Sequence, residues 1–253
     1  MLFIKYYYNE QGECMGKKAI KRRSNKSNTL PIRTHQSPKL NHVTIIPKNV
    51  NQESYMLDLL SPSKDIVIGV GPAGTGKTML AVQVAIKLFR EKAVDKIIIT
   101  RPVVSVDEDI GFLPGTLEEK MAPWTIPIID VFKMYYCTND IRSMLYEGVL
   151  EMAPLAYMRG RTFKKAMIVA DEMQNATQEQ TKMLLTRIGE GSKIVVTGDL
   201  AQHDRGYTNN GLKDFLNKFD RKYSTIGHVN FTKKDVERHP VVTHVLEIYD
   251  GAS

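Results

Sequence analysis

The sequence predicts an α/β fold, a parallel sheet flanked by helices, and three observations carry that expectation. Short apolar, β-branched runs recur at 66–70, 96–100, 166–170 and 193–197, as strands buried on both faces do. Helix-like segments stand between them, and that alternation builds a doubly wound sheet. The first run leads directly into Gly71-Pro72-Ala73-Gly74-Thr75-Gly76-Lys77-Thr78, which fits the phosphate-binding pattern G-x-x-x-x-G-K-[ST], the Walker A motif, without a mismatch.

Residues 1–43 form a basic tail predicted to be disordered. Residues 1–40 hold nine of the 35 Lys and Arg but only two of the 28 Asp and Glu, so the rest of the chain carries 26 of each sign. The +7 net charge therefore belongs to the tail, as an arm for nucleic acid phosphates or as a solvated extension. Such a segment buries too little apolar surface to offset its ordering entropy. Met15 opens a second plausible start, MGKKAIKRRSN.

Residues 44–253 are expected to form one domain. Val43-Thr44-Ile45-Ile46-Pro47 reads as a short strand or extended lead-in, and 51–60 as a helix ended by Ser61-Pro62-Ser63. In the loop that follows the first strand, glycines let successive N–H groups turn inward towards an anion. Lys77 supplies a point charge for β- and γ-phosphates, Thr78 a hydroxyl for Mg²⁺, and the helix over 79–90 its positive end. The next strand ends in Arg101-Pro102, at the sheet edge where ligands gather, so Arg101 is a candidate for phosphate or nucleic acid contact.

Residues 103–155 interrupt the alternation and read as a largely helical insertion holding Trp124, Tyr135, Tyr136 and Tyr146. These aromatics fit either a core or a single-strand-binding surface. The strand 166–170 ends in Asp171-Glu172. After a phosphate loop, the first carboxylate (Walker B) can hold Mg²⁺ and the second can orient an attacking water. Thr177 and Gln180 have the spacing of a capping box for the next helix. The strand 193–197 is followed by Gly198-Asp199-Leu200-Ala201-Gln202, where Thr197 and Gln202 can sense a γ-phosphate. A helix over 209–219, a strand over 228–231 and a last helix over 241–249 complete the chain.

Composition sets the bounds. With 253 residues, 42% hydrophobic and 25% charged, the chain has enough material for one sizeable core. No apolar run reaches the roughly 20 residues of a membrane helix. Cys14 and Cys137 alone make no disulfide framework, so a reducing, cytoplasmic setting is expected, with no membrane partner.

The ordered set GxxGTGKT, Asp171-Glu172-x-Gln174 and Gly198-Asp199-x-x-Gln202 resembles the first RecA-like domain of superfamily 1 helicases. A finer resemblance, over 43–249, is to the PhoH-like ATPase family. It rests on Asn51-Gln52-x-x-Tyr55, Thr100-Arg101-Pro102, Gly111-Phe112-Leu113-Pro114-Gly115, Arg159-Gly160-Arg161-Thr162, Asp171-Glu172-Met173-Gln174-Asn175 and Arg238-His239-Pro240. Two departures stand out: Asp107-Glu108-Asp109 replaces the family's Gly-Glu pair, and Met173 stands where Ala is usual. The resemblance implies a RecA-like P-loop NTPase, tending to a homo-oligomeric, commonly hexameric ring, with a role in RNA or single-stranded DNA handling. It also points to Gln52 and Tyr55 as nucleotide contacts. The tail is too short for the nuclease domain of some members, so ribonuclease activity is not implied.

The sequence thus predicts Mg²⁺-dependent ATP hydrolysis. Gly71, Pro72, Ala73, Gly74, Thr75 and Gly76 form the phosphate cradle, with Lys77 on the β/γ oxygens. Thr78 and Asp171 hold Mg²⁺, Glu172 orients water, and Gln202 reports the γ-phosphate. Fast hydrolysis often needs an arginine finger. Only about fifty residues follow the Gln202 segment, so a neighbouring subunit is expected to supply it, from Arg159, Arg161 or Arg238. Three functions stay open: a nucleic acid-stimulated motor of helicase type, a slowly hydrolysing nucleotide switch or scaffold, and a small-molecule kinase. The Asp-Glu pair disfavours the kinase.

Overall fold

A computed structural model of the chain describes residues 43–102, 117–202, 210–220, 222–237, 241, 242 and 248, with backbone only for 117–123. The basic tail, Gly111–Gly115 and Arg238-His239-Pro240 lie outside the described residues, as does most of the last predicted helix.

The described chain folds in the order α1 (Val50–Leu60), β1 (Ile66–Val70), α2 (Lys77–Arg90), β2 (Lys96–Arg101), α3 (Leu117–Lys133), α4 (Thr138–Tyr146), β3 (Leu150–Pro154), β4 (Ala166–Ala170), α5 (Gln178–Leu185), β5 (Lys193–Gly198), α6 (Gly211–Lys218) and β6 (Ile226–Asn230). The six strands make one sheet in the order β3-β2-β4-β5-β1-β6, and every pairing is parallel. All strand carboxyl ends therefore lie along one edge, and the loop after β1 opens there beside β5 and β4.

The alternation of strand side chains divides the core into two layers. Val67, Ile97, Ile99, Val169 and Val195 face one cluster, shared with Tyr55 and Leu59 of α1, Leu80 and Val84 of α2, and Phe132 of α3. Ile68, Ile98, Ile168, Ile194 and Val196 face the other, under Leu184 of α5 and Leu212 of α6. Strands apolar on both faces are what a sheet covered on both sides requires.

Residues 43–47 are not a strand, which leaves the lead-in of the two alternatives. The helical part of the insertion is two helices, because Cys137 and Asp140 form a reciprocal cap that starts α4 anew. The structure departs from the sequence reading at one element. The insertion contains β3, which the sequence reading placed in no strand. Its Leu-Glu-Met-Ala-Pro has no β-branched residue and ends in proline, and it pairs only with β2, at the edge. The aromatics of this region divide as well. Tyr135 is buried and bonded to Gln83 of α2 at 3.0 Å, Trp124 packs against the core, and Tyr146 is fully open to solvent.

Candidate active site

The phosphate loop is shaped by three glycines in the left-handed region, Gly71 (φ +141°), Gly74 (φ +85°) and Gly76 (φ +80°). At Gly71 no other residue fits: a Cβ would lie 2.3 Å from the Phe231 carbonyl oxygen. Its N–H donates to Gly198 O at 3.1 Å, which ties the loop to the end of β5. Gly76 is the N-cap of α2, so the positive end of a 14-residue helix points into the loop.

Lys77 is buried, and its Nζ donates to Gly71 O and Pro72 O, both at 2.7 Å, and to Thr75 Oγ1 at 3.1 Å. Burial pushes its ammonium below the ordinary lysine range, against the opposing pull of Asp199, Asp171 and Glu172. Thr78 Oγ1 donates to Asp171 Oδ1 at 2.7 Å, and Thr197 Oγ1 donates to the same oxygen. The Asp171 N–H is in turn held by Thr100 O at 2.9 Å. Parallel pairing of β4 with β2 and β5 is what brings Thr100, Asp171 and Thr197 to one point.

Glu172 has a left-handed backbone (φ +53°), rare for a residue with a Cβ. The conformation starts a 3₁₀ turn over Met173–Asn175. Asp199 organises its own turn: its Oδ1 accepts from Ala201 N–H at 3.0 Å and its carbonyl from Gln202 N–H at 3.1 Å. Gly74, Gly76, Lys77, Thr78, Asp171, Glu172, Asp199 and Gln202 line one cavity of about 270 Å³.

Hydroxyl and carboxylate oxygens are the donors a hard cation takes, and Thr78 and Asp171 place one of each in contact beside the loop. Among the described residues no group of three or more His, Cys, Asp or Glu gathers as a metal site. The pair fits Mg²⁺ held by few protein ligands.

The remaining predicted residues are placed differently. Gln52 is buried and braces the loop from behind: its Nε2 donates to Thr75 O at 3.1 Å, and its Oε1 accepts from Lys48 N–H at 2.9 Å. Tyr55 is fully enclosed between Gly69 of β1 and the edge of Phe231, so its ring is a core group, outside the cavity lining. Its hydroxyl finds no hydrogen-bond partner among the described residues, and burial raises its pKa. Arg161 forms a two-point ion pair with Glu151, which Lys96 also joins at 2.7 Å. Lys96 opens β2 and Glu151 is second in β3, so this cluster lies at the amino end of the sheet, away from the loop. Arg159 is exposed after β3, without an ion pair among the described residues. Arg101 is half-buried at the carboxyl end of β2, beside Pro154.

Sequence reasoning missed the segment after β6. Glu237 N–H donates to Gly74 O at 3.0 Å, and Asp235 accepts from Asn51 Nδ2 at 2.8 Å, so α1 and this segment grip the loop together. Nothing local in the sequence signals this grip, since Asn51 and Asp235 stand 184 residues apart.

A family model described as PhoH-like protein matches residues 44–250. A PhoH-like protein of Mycobacterium tuberculosis (strain H37Rv) is 46% identical over 210 residues, covering 81% of this chain and 58% of its own. That of Bacillus subtilis (strain 168) is 41% identical over 208 residues, covering 80% and 63%. Protein PhoH of Escherichia coli (strain K12) is 41% identical over 214 residues, covering 81% and 58%. The chain thus spans about three-fifths of the length of these relatives. Among solved structures, the large terminase of a thermophilic bacteriophage matches at TM-score 0.47 and 14% identity, over 77% of this chain and 49% of its own. Pif1 helicase from Candida albicans matches at 0.37 and 12%, over 81% and 44%.

Proposed function

The chain belongs to the PhoH-like protein family, and from that premise we propose that it binds ATP with Mg²⁺ and hydrolyses it, in an oligomeric ring that couples turnover to RNA or single-stranded DNA. The observation that carries the reading is the single cavity where Lys77, the Thr78–Asp171 pair and Glu172 meet at the open edge of the sheet. Its lining by loop glycines, Lys77 and Thr78 suits the phosphate end of the nucleotide.

The residues divide the work. Loop N–H groups and the start of α2 favour the anionic phosphates. Lys77 exchanges the Gly71 and Pro72 carbonyls for phosphate oxygens. Thr78 and Asp171 would hold Mg²⁺, which supplies charge neutralisation when bound. Glu172 accepts a hydrogen bond from water and orients it. The water oxygen bonds to the γ-phosphorus as the bond to the β–γ bridging oxygen breaks, releasing ADP and phosphate. Gln202, on the Asp199 turn, is placed to register the γ-phosphate. Of the two described candidates for an arginine finger, Arg159 is exposed and able to reach a neighbour, whereas Arg161 is committed to Glu151.

Steady-state ATP turnover with and without RNA and single-stranded DNA tests this, with mass measured by light scattering in the same buffer. Lys77→Ala is expected to lose nucleotide binding, and Glu172→Gln to bind ATP while hydrolysis falls to a small residual rate. Wild-type turnover in both variants refutes the assignment. Slow turnover indifferent to nucleic acid favours a switch or scaffold over a motor.

A further inference from the structure

Gln174 lies in the 3₁₀ turn after Glu172, 4% exposed, and both ends of its amide are engaged. Its Nε2 donates to Glu172 Oε2 at 2.5 Å, and its Oε1 accepts from the Asp199 N–H at 3.1 Å. A Cβ on Gly198 would sit 2.9 Å from Gln174 Oε1, so the glycine there leaves the room this contact uses. The carbonyl of Gly198 meanwhile accepts from the Gly71 N–H. A hydrogen-bonded line therefore runs from the phosphate loop through the end of β5 and Gln174 to the Glu172 carboxylate.

The chemistry at the two ends identifies the side chain needed. A carboxylate only accepts and a backbone N–H only donates, so the bridging group must donate at one end and accept at the other. A primary amide does both; a carboxylate or a thioether does not. Glu172 also has the left-handed backbone, so its side-chain direction depends on what holds it.

We infer that Gln174 is a positioning residue for ATP hydrolysis: it locks the water-orienting Glu172 to the Asp199–Gln202 turn, so that the carboxylate and the γ-phosphate-sensing amide move as one unit. The inference rests on the function proposed above. It predicts loss in the chemical step, with nucleotide binding untouched, because Gln174 touches neither the loop cavity nor the metal pair.

The test compares Gln174→Glu, which keeps the acceptor for Asp199 but loses the donor for Glu172, with Gln174→Met, which loses both. Each is made in the wild-type and Glu172→Gln backgrounds, with folding checked by thermal melting and nucleotide affinity by a fluorescent ATP analogue. In the wild-type background each variant is expected to lower kcat by about ten-fold or more while KM for ATP stays within about two-fold. In the Glu172→Gln background, Gln174→Glu is expected to add less than about two-fold, since the group it positions is already gone. A merely structural role gives a multiplicative loss and a matching fall in affinity. Gln174→Glu turning over like wild type, or a full additive loss in the double variant, overturns the inference. If Gln174→Glu does not fold, the same kcat and KM comparison on Gln174→Met decides. If Glu172→Gln itself keeps wild-type turnover, or the wild type hydrolyses no ATP, the proposed function falls and this inference with it. An impaired Glu172→Gln beside unimpaired Gln174 variants removes this inference alone.

Discussion

Replacing Glu151 with Gln removes the centre of the charge cluster at the amino end of β2 and β3. The Arg161 guanidinium, helped by Lys96 and opposed by burial, holds the Glu151 carboxyl down at about 2 from an ordinary 4.5. At about 1.36 kcal/mol per pH unit, that gap corresponds to at most about 3 kcal/mol of folding stability. The side chains of Glu151, Arg161 and Lys96 are 23%, 35% and 32% exposed, and solvent screening reduces the figure to about 1–2 kcal/mol. Because the folded pKa is depressed, the contribution is fully present above about pH 4.5 and is lost as pH falls towards 2. Urea unfolding should therefore show Glu151→Gln less stable than wild type by about 1–2 kcal/mol at neutral pH, with roughly half or more of the difference gone by pH 3. A difference of the same size at both pH values, or none at neutral pH, refutes the reasoning. The same variant bears on Arg161. If the arginine serves only this pair, ATP turnover stays within about two-fold of wild type once folding is corrected for. A larger fall would mean that the ion pair aims Arg161 at a catalytic task.

Three further predictions follow from the loop and its supports. Tyr55→Phe deletes a hydroxyl that has no partner among the described residues. Thermal melting should show stability unchanged or raised by up to about 1 kcal/mol, and KM for ATP should not move; a large rise in KM would put the hydroxyl on the nucleotide. Gly71→Ala drives a Cβ into the Phe231 carbonyl at a φ that side chains avoid, so it should cost about 2 kcal/mol or more and abolish binding of a fluorescent ATP analogue. Wild-type melting and binding would disprove the crowding. Gln52→Leu keeps the volume but strands the Thr75 carbonyl and the Lys48 N–H. A loss of about 1–3 kcal/mol with weaker nucleotide binding is expected in denaturation and titration, and unchanged affinity would show that the brace does not set the loop.

What could be read in advance were residues whose identity dictates a local conformation or a chemistry. The glycines at 71, 74 and 76 pointed to a tightly curled loop, and Asp171-Glu172 at the end of an apolar run to a carboxylate pair at a strand terminus; the phosphate and metal roles of Lys77 and Thr78 belong to the proposed function. Each carries its meaning in one side chain or in its absence. The four central strands were legible for the same reason, since β-branched runs buried on both faces have few other places to go. β3 was not, because an edge strand needs only backbone pairing on one side, and Leu-Glu-Met-Ala-Pro carries no propensity that signals it.

The supports of the site were hidden for a different reason. Gln52 and Tyr55 were visible as a motif, but a motif does not say on which side of the loop its residues stand. In the structure Tyr55 fills the space that Gly69 leaves, where a Cβ would come within 2.8 Å of the ring, and Gln52 uses both ends of its amide on the chain itself. Gln174 does the same between Glu172 and Asp199. A buried amide whose donor and acceptor are both engaged by protein holds the groups around it in fixed register, because losing either contact leaves a buried polar group unsatisfied. The site is therefore held by two such amides: Gln52 behind the loop through Thr75, and Gln174 between Glu172 and the Asp199 turn. If Gln52 sets the loop and Gln174 the carboxylate, Gln52→Leu should act on nucleotide affinity and Gln174→Glu on the hydrolytic step, and a variant that moved both quantities equally would contradict that division.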